Sequence, residues 1–253
     1  MRLRNLPPFP PVASKLIVLF RRQDSNFRDA VSLMKSDASI TAEVLRLANS
    51  ASVGLRFPVT NLLQALSTLG VNRLVSLTTT LCVGKLLKSV ANLPVMRMCW
   101  RNNLATALIA SKMSSQFDVD AEKAYTFGLL SGIGRLGLLV SDPQLYTHLA
   151  MRAERERLPF DVLERELFGC DHIEAGDCLI RQWKLPPEMA TILFGGTPMN
   201  GSDARLAQLI REAGEEAKRA GFGVIEMASI GQPDSSTFEI VKQVNQIEQS
   251  LGI

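Results

Sequence analysis

An all-α fold follows from three features of the sequence. Aromatic residues make up only 6% of a chain that is 46% hydrophobic, and Leu, Ala, Ile, Val and Met supply most of its apolar content, a composition suited to packed helices more than to sandwiches or barrels. The apolar residues recur at three- and four-residue spacings, the period of a helix with one buried face. No βαβ alternation and no internal repeat runs through the chain. With 253 residues, it can bury one large core or two joined lobes without disulfides or a structural metal.

The elements can be read in order. A first helix opens after Pro10 and Pro11, carries Val12, Leu16, Leu19 and Phe20 on one face and ends near Arg22, because proline is tolerated in a first turn. Asn26 reads as the N-cap of a second helix with Phe27, Ala30, Val31 and Met34 on one side. A third starts from Ser39 with Ile40, Val44, Leu47 and Ala48. After a loop at Gly54 and Pro58, Thr60 or Asn61 caps a helix through Leu69. Gly70 ends it, and Asn72 caps a longer apolar helix to about Leu87. Asn92 and Pro94 mark a boundary, so residues 1–93 form an N-terminal helical lobe and 94–220 a second one. Helices are expected at 95–117, 121–140, 142–157, 160–168, 171–183, 187–194 and 203–220. Residues 221–253 hold a Gly- and Pro-containing stretch, ambiguous between loop and short strand at 224–230, and a final helix at 236–251. That helix lines up Ile240, Val241, Val244, Ile247 and Leu251, and two heptads are too few to sustain a coiled coil alone, so docking onto the body is expected over dimerisation.

Composition excludes several function classes. A net charge of +3 arises from 28 basic and 25 acidic residues spread along the chain, which argues against a nucleic-acid footprint. Arg152, Arg155 and Arg157 alternate with Glu154 and Glu156, the pattern of a solvated helix end. Cys82, Cys99, Cys170 and Cys178 form no CxxC pair, as expected of reduced thiols in a cytoplasmic protein. Four prolines interrupt the first eleven residues, so no signal-peptide apolar region forms. The apolar runs 74–87 and 128–140 are shorter than a bilayer span and are interrupted by Lys85 and Arg135, so no membrane insertion is expected.

Several motifs carry a resemblance. LPPFPPVASKL, then the stretch from 37 to 77 containing LRLANSA (45–51) and ALSTLG (65–70), and in the second half Trp100, GLLSGIGRLGLL (128–139) and HIEAGDCLIRQWKLPPEMA (172–190) stand in family order and spacing. Over roughly residues 5–215 the sequence resembles the HDOD family, HD-related output domains of bacteria that are degenerate relatives of the HD and HD-GYP phosphohydrolases. The resemblance implies an HDOD-type helical N-terminal lobe joined to an HD-like helical lobe, and a role in signalling more than in catalysis.

HD-fold hydrolases activate water on hard divalent ions, which requires clustered His and carboxylate ligands. At the position of the first histidine this sequence has Asn102. The paired His-Asp is replaced by Ser131 and Gly132, the following lysine by Arg135, and a later histidine pair by Phe194 and Gly195. Only His148 and His172 remain. His172 matches a family histidine at a helix start, where it hydrogen-bonds across the lobe or helps to line a pocket. No metal ligand set and no cofactor is expected.

Other features have simpler readings. Cys170 and His172 stand close in sequence, yet no thiolate-stabilising geometry is visible, and a buried, inert cysteine is expected. Gly128, Gly132, Gly134 and Gly137 lie inside an apolar helical pattern, unlike a phosphate loop between strand and helix. They suggest close backbone approach or a helix break, and Gly132 alternatively leaves a cavity where a ligand once sat. Arg46, Asn49 and Ser50 end the LRLANSA helix, either as caps and packing groups or as a partner surface.

Three functions follow as competing expectations. The first is a non-catalytic output domain recognising another signalling protein in trans. The second is a nucleotide or small-molecule sensor using the degenerate cleft at Asn102, Ser131 and Arg135, with Arg135 binding phosphate. The third is residual metal-dependent phosphohydrolysis at a relocated site. An oligomer is compatible with each.

Overall fold

The computed structural model describes residues 11–20, 27–51, 53–195, 200–224 and 235–253. It is all-helical among these residues, in thirteen α-helices with short tighter or wider turns between some of them. The expected end of the first helix near Arg22, the Asn26 cap and the ambiguous 225–230 stretch lie outside the described residues.

Helices α1 (Pro11–Phe20), α2 (Phe27–Lys35) and α3 (Ala38–Ala48) pack on α4 (Leu62–Leu87). Leu16, Ile17, Ala30, Met34, Val44 and Leu47 are all buried between them, and burial of such faces, not intrinsic propensity, holds short helices in place. The cap of α3 is Asp37, whose carboxylate accepts the Ile40 N–H at 3.0 Å. Ser39 therefore lies inside the helix, because Asp37 reaches the orphan amide two residues earlier. Asn61 caps α4 by accepting from Gln64 N–H at 2.9 Å. Within α4, Gly70 leaves helical geometry at φ 79 and ψ 163; the chain bends there because glycine tolerates positive φ.

Beyond a 3₁₀ turn at Lys88–Val90, α5 (Pro94–Met113) is the central helix, packed against α6 (Ala121–Leu130), α12 (Gly201–Ala217) and α13 (Ser235–Leu251). The expected helix over 121–140 is two helices. α6 ends at Leu130, and α7 (Ile133–Ser141) begins after Ser131 and Gly132. Ser131 turns its hydroxyl back onto the Gly128 carbonyl at 2.7 Å, and Gly132 sits at φ −97, ψ 12, outside helical geometry, so the ladder is interrupted where both residue types weaken it. α8 (Pro143–Glu156), α9 (Phe160–Phe168), α10 (His172–Gln182) and α11 (Pro187–Phe194) follow.

The glycines of this region permit close contact. A Cβ on Gly128 would lie 2.8 Å from the Ala107 Cα, and one on Gly134 only 1.8 Å from the His172 carbonyl oxygen. Helix pairs α5–α6 and α7–α10 thus approach nearer than any larger residue allows. The final helix docks on the body: Ile240, Val244, Ile247 and Leu251 are buried, and Leu251 lies 3.1 Å from where a Gly84 Cβ would stand. The 21 residues of Ala121–Ser141 are long and apolar enough to cross a membrane by length and composition, more than the shorter runs considered singly, but 72% of the most apolar window is buried inside the fold.

Candidate functional site

Five residues named from the sequence, Asn102, Ser131, Gly132, Arg135 and His172, line one cavity of 140 Å³ together with Cys99, Asn103, Thr106, Gly214, Lys218 and Val224. α5 supplies Asn102 and Asn103, the α6–α7 break supplies Ser131 and Gly132, α7 supplies Arg135, and the first turn of α10 supplies His172. The break between α6 and α7 opens this cavity, since a continuous helix would present a different face here.

Most of the polar groups are already engaged. The Asn102 amide donates to the Phe222 carbonyl at 2.9 Å, and the buried Asn103 amide donates to the Leu129 carbonyl at 3.2 Å. A Cβ added at Gly132 would lie 2.0 Å from the Asn103 Oδ1. The spot directly beside Gly132 is therefore filled by Asn103, while Gly132 still lines the 140 Å³ cavity. Phe194 is spent on packing, its ring lying 2.4 Å from where a Gly176 Cβ would stand.

His172 is held by a residue that the sequence reading missed. Glu164 of α9 is fully buried. Its Oε2 accepts the His172 backbone N–H at 2.8 Å and meets the His172 Nδ1 at 2.6 Å, while its Oε1 accepts the Tyr146 hydroxyl at 2.8 Å. Arg135 Nε stands 3.8 Å from the same Oε1 and makes no hydrogen bond among the described residues, and its guanidinium lies over the Phe160 ring at 5.5 Å. A buried carboxylate is tolerated only when its lone pairs are matched, and here the N-terminus of α10 adds a favourable dipole. Asp171 and Glu174 complete that corner as a reciprocal capping box. The missed signal was periodicity: Phe160, Leu163, Leu167 and Phe168 mark the inward face of α9, and Glu164 stands within it.

Burial pushes the Cys99 thiol up to about 12 against the opposing charge of Arg135, and it pushes the Tyr146 hydroxyl well above its ordinary value, with Cys99 and Glu164 adding to the shift. Both stay protonated at neutral pH, and neither is a nucleophile or an ionised ligand there. Cys170 is likewise shifted upward by burial. Among the described residues, no three His, Cys, Asp or Glu side chains gather so as to hold a metal ion.

A second cavity of 230 Å³ adjoins the first, sharing Arg135, Lys218 and Val224 and adding Leu158, Pro159, Phe160 and Gly223. Two cations thus stand at the junction, although Lys218 also contacts Glu215 at 2.7 Å.

Arg46, Asn49 and Ser50 stand apart from these cavities. Asn49 makes a two-way clamp on Val59, donating to its carbonyl and accepting its N–H, each at 2.8 Å. The Ser50 hydroxyl donates to the Leu47 carbonyl at 2.6 Å. Arg46, exposed, donates to the Ser250 carbonyl at the end of α13.

A helical body whose pocket lies between the central helix, a broken glycine-rich helix and the start of α10 defines the class of HD-related helical domains. The HDOD domain profile matches residues 6–194; the chain belongs to the HDOD family. Its fold is similar to that of an HDOD domain protein from Geobacter sulfurreducens (TM-score 0.75, 21% identity, covering 98% of this chain and 84% of the other). It is also similar to a protein of Shewanella amazonensis SB2B provisionally named a phosphohydrolase (TM-score 0.72, 23% identity, 99% and 96% covered). A third likeness is to a protein of Marinobacter aquaeolei VT8 provisionally assigned to signal transduction (TM-score 0.68, 22% identity, 98% and 59% covered). A curated protein of Treponema pallidum, itself uncharacterized, is 24% identical over 196 residues; the match spans 76% of this chain and 38% of that protein.

Proposed function

We propose that this chain is a non-catalytic signal-transduction output domain that acts by binding another protein in trans. The observation that carries the reading is the use made of the former ligand positions: Asn102 ties down the Phe222 carbonyl, Asn103 fills the space beside Gly132, and His172 is held on Glu164. Groups committed to the fold are poor candidates for gripping a catalytic ion, because each would have to surrender a buried hydrogen bond first. The four cysteines, all unpaired, support a cytoplasmic setting.

The test is direct. Purified protein supplied with Mn, Mg, Fe or Zn should hydrolyse neither p-nitrophenyl phosphate nor cyclic dinucleotides above the rate of the metal alone. Metal-stimulated turnover that Gly132→Ala abolishes would overturn the reading. Affinity capture followed by calorimetry with the recovered protein should give saturable binding.

Asn49 and Ser50, bonded into the α3–α4 loop, favour a packing role, and Arg46, exposed like Asn49, donates to the Ser250 carbonyl. A second reading, a sensor of phosphate-bearing small molecules, is supported by the unbonded Nε of Arg135 beside Lys218 at the junction of two cavities. Calorimetry against a nucleotide panel that includes cyclic dinucleotides separates the two. Binding that Arg135→Ala removes favours the sensor, and silence alongside a robust protein partner discards it.

A further inference from the structure

A larger chamber lies on the other side of the central helix. It measures 330 Å³ and is enclosed by α3, α4, α5, α6 and the inner face of α13. Well-packed interiors hold few voids larger than a water molecule, and small-molecule sites begin at about 300 Å³, so its size suits a ligand better than a packing flaw. We propose that this chamber binds a small organic anion with an apolar body, and that α13 responds to its occupancy.

The chemistry of the walls sets the ligand class. Leu47, Leu77, Leu108 and Ile240 offer apolar sides, while the floor is formed by the buried hydroxyls of Thr80 and Tyr125. The Thr80 hydroxyl donates to the Ser76 carbonyl at 2.8 Å and lies 3.0 Å from the Tyr125 hydroxyl. A threonine has one hydroxyl proton, so Tyr125 donates to Thr80 and keeps its own lone pairs for a donor in the chamber. Burial shifts the Tyr125 hydroxyl upward, which keeps it neutral. At the outer edge stand two cations. Arg73 is 29% exposed and paired with Glu122 at 3.2 Å, whereas Lys112 is exposed and makes no ion pair among the described residues. The carboxylate at this edge, Glu239, accepts from Gln243 at 3.2 Å. A cationic mouth, apolar walls and an acceptor floor fit a flat apolar acid that bears a hydroxyl or amine at the end remote from its charge.

The coupling to α13 follows from geometry. Ile240, Gln243 and Ile247 of that helix line the chamber, so filling it adds apolar contacts that exist only while α13 is docked. A ligand that binds only the docked form stabilises it by mass action.

Three fluorescent probes test the proposal on the intact chain: a hydroxynaphthoate, naphthoate without the hydroxyl, and naphthol without the carboxylate. The hydroxynaphthoate should bind saturably, with Lys112→Glu weakening both acids about tenfold and leaving naphthol unchanged, as expected for reversal of one partly screened charge. Leu108→Trp, which fills the chamber, should abolish binding of all three while circular dichroism stays that of the parent. Saturation with the hydroxynaphthoate should slow amide exchange across 240–251. The proposal is overturned if none of the probes binds saturably below millimolar concentration, or if binding survives both substitutions unchanged. Neither outcome bears on the Asn102–His172 cavity, whose residues are untouched.

Discussion

Glu164 offers the most decisive test of how this fold holds its pocket. Glu164→Ala removes a fully buried carboxylate and strands three groups that it satisfies: the Tyr146 hydroxyl, the His172 amide and the His172 ring nitrogen. Each stranded buried donor costs about 1–3 kcal/mol, and loss of one partner from a buried charged cluster typically costs about 3–5 kcal/mol. Removing the carboxylate also deprives Arg135, whose Nε lies 3.8 Å from it, of its opposite charge, and a net loss of about 3–5 kcal/mol is expected. For a chain of this size, that corresponds to a fall in Tm of roughly 10 °C or more. Urea titration monitored by circular dichroism gives the free energy, and calorimetry gives the Tm. Tyr146→Phe should cost about 1.5–3 kcal/mol on its own. In combination with Glu164→Ala it should add little, since both changes break the same bond. A loss below about 1 kcal/mol for Glu164→Ala, or full additivity of the pair, would refute the view that this carboxylate anchors α10 to α8.

Other predictions concern separate parts of the molecule. Gly134→Ala should be far more damaging than Gly132→Ala, because the first new Cβ meets the His172 backbone carbonyl and the second meets the Asn103 side chain, which can shift only by giving up its hydrogen bond to the Leu129 carbonyl. A cost of about 1–3 kcal/mol is expected for Gly132→Ala, and failure to accumulate as folded protein for Gly134→Ala, both read by thermal unfolding. Burial holds the thiols of Cys82 and Cys99 at about 12, so near neutral pH maleimide should modify the half-buried Cys178 first and reach those two only on unfolding, as peptide mass mapping would show. The Glu248 carboxyl is raised above its ordinary value mainly by burial, with Arg101 and Arg97 opposing. A raised acid binds its proton more tightly in the folded chain, so its contribution is most favourable below the ordinary carboxylate value and declines as pH rises through the raised one. Relative to Glu248→Gln, the parent should therefore lose stability as pH rises across that interval, and pH-dependent urea titrations of both proteins check the sign.

How much was legible beforehand differs between the fold and the site. Helix positions followed from residues that act locally: Pro94 at a boundary, Asn61 as a candidate cap, Gly70 where the helix path is interrupted and the apolar stripe on α13. The membership of the cavity at Asn102, Ser131, Gly132, Arg135 and His172 could be named from motif spacing, since homologous spacing preserves which helix turns face one another. The glycines of 128–137 pointed to close backbone approach or to a helix break without deciding between them, and the structure has both: α6 ends at Leu130, α7 begins at Ile133, and Gly128 and Gly134 sit against neighbouring backbones. Asp37 and Ser39 are both residue types that start helices, and only the backbone geometry shows that α3 starts from Asp37, which accepts the Ile40 N–H.

The sequence by itself determined that the chain is helical, where most helices lie and which family frame they follow. Those properties depend on residue type and spacing along one helix, which a linear reading carries in full. Only the tertiary structure decided that Asn103 fills the space beside Gly132, that Glu164 holds His172 and Tyr146, and that α13 roofs a chamber over Thr80 and Tyr125. Each of these joins side chains from different helices, and the free energy of such contacts depends on distance and burial in three dimensions, quantities that no spacing along the chain encodes.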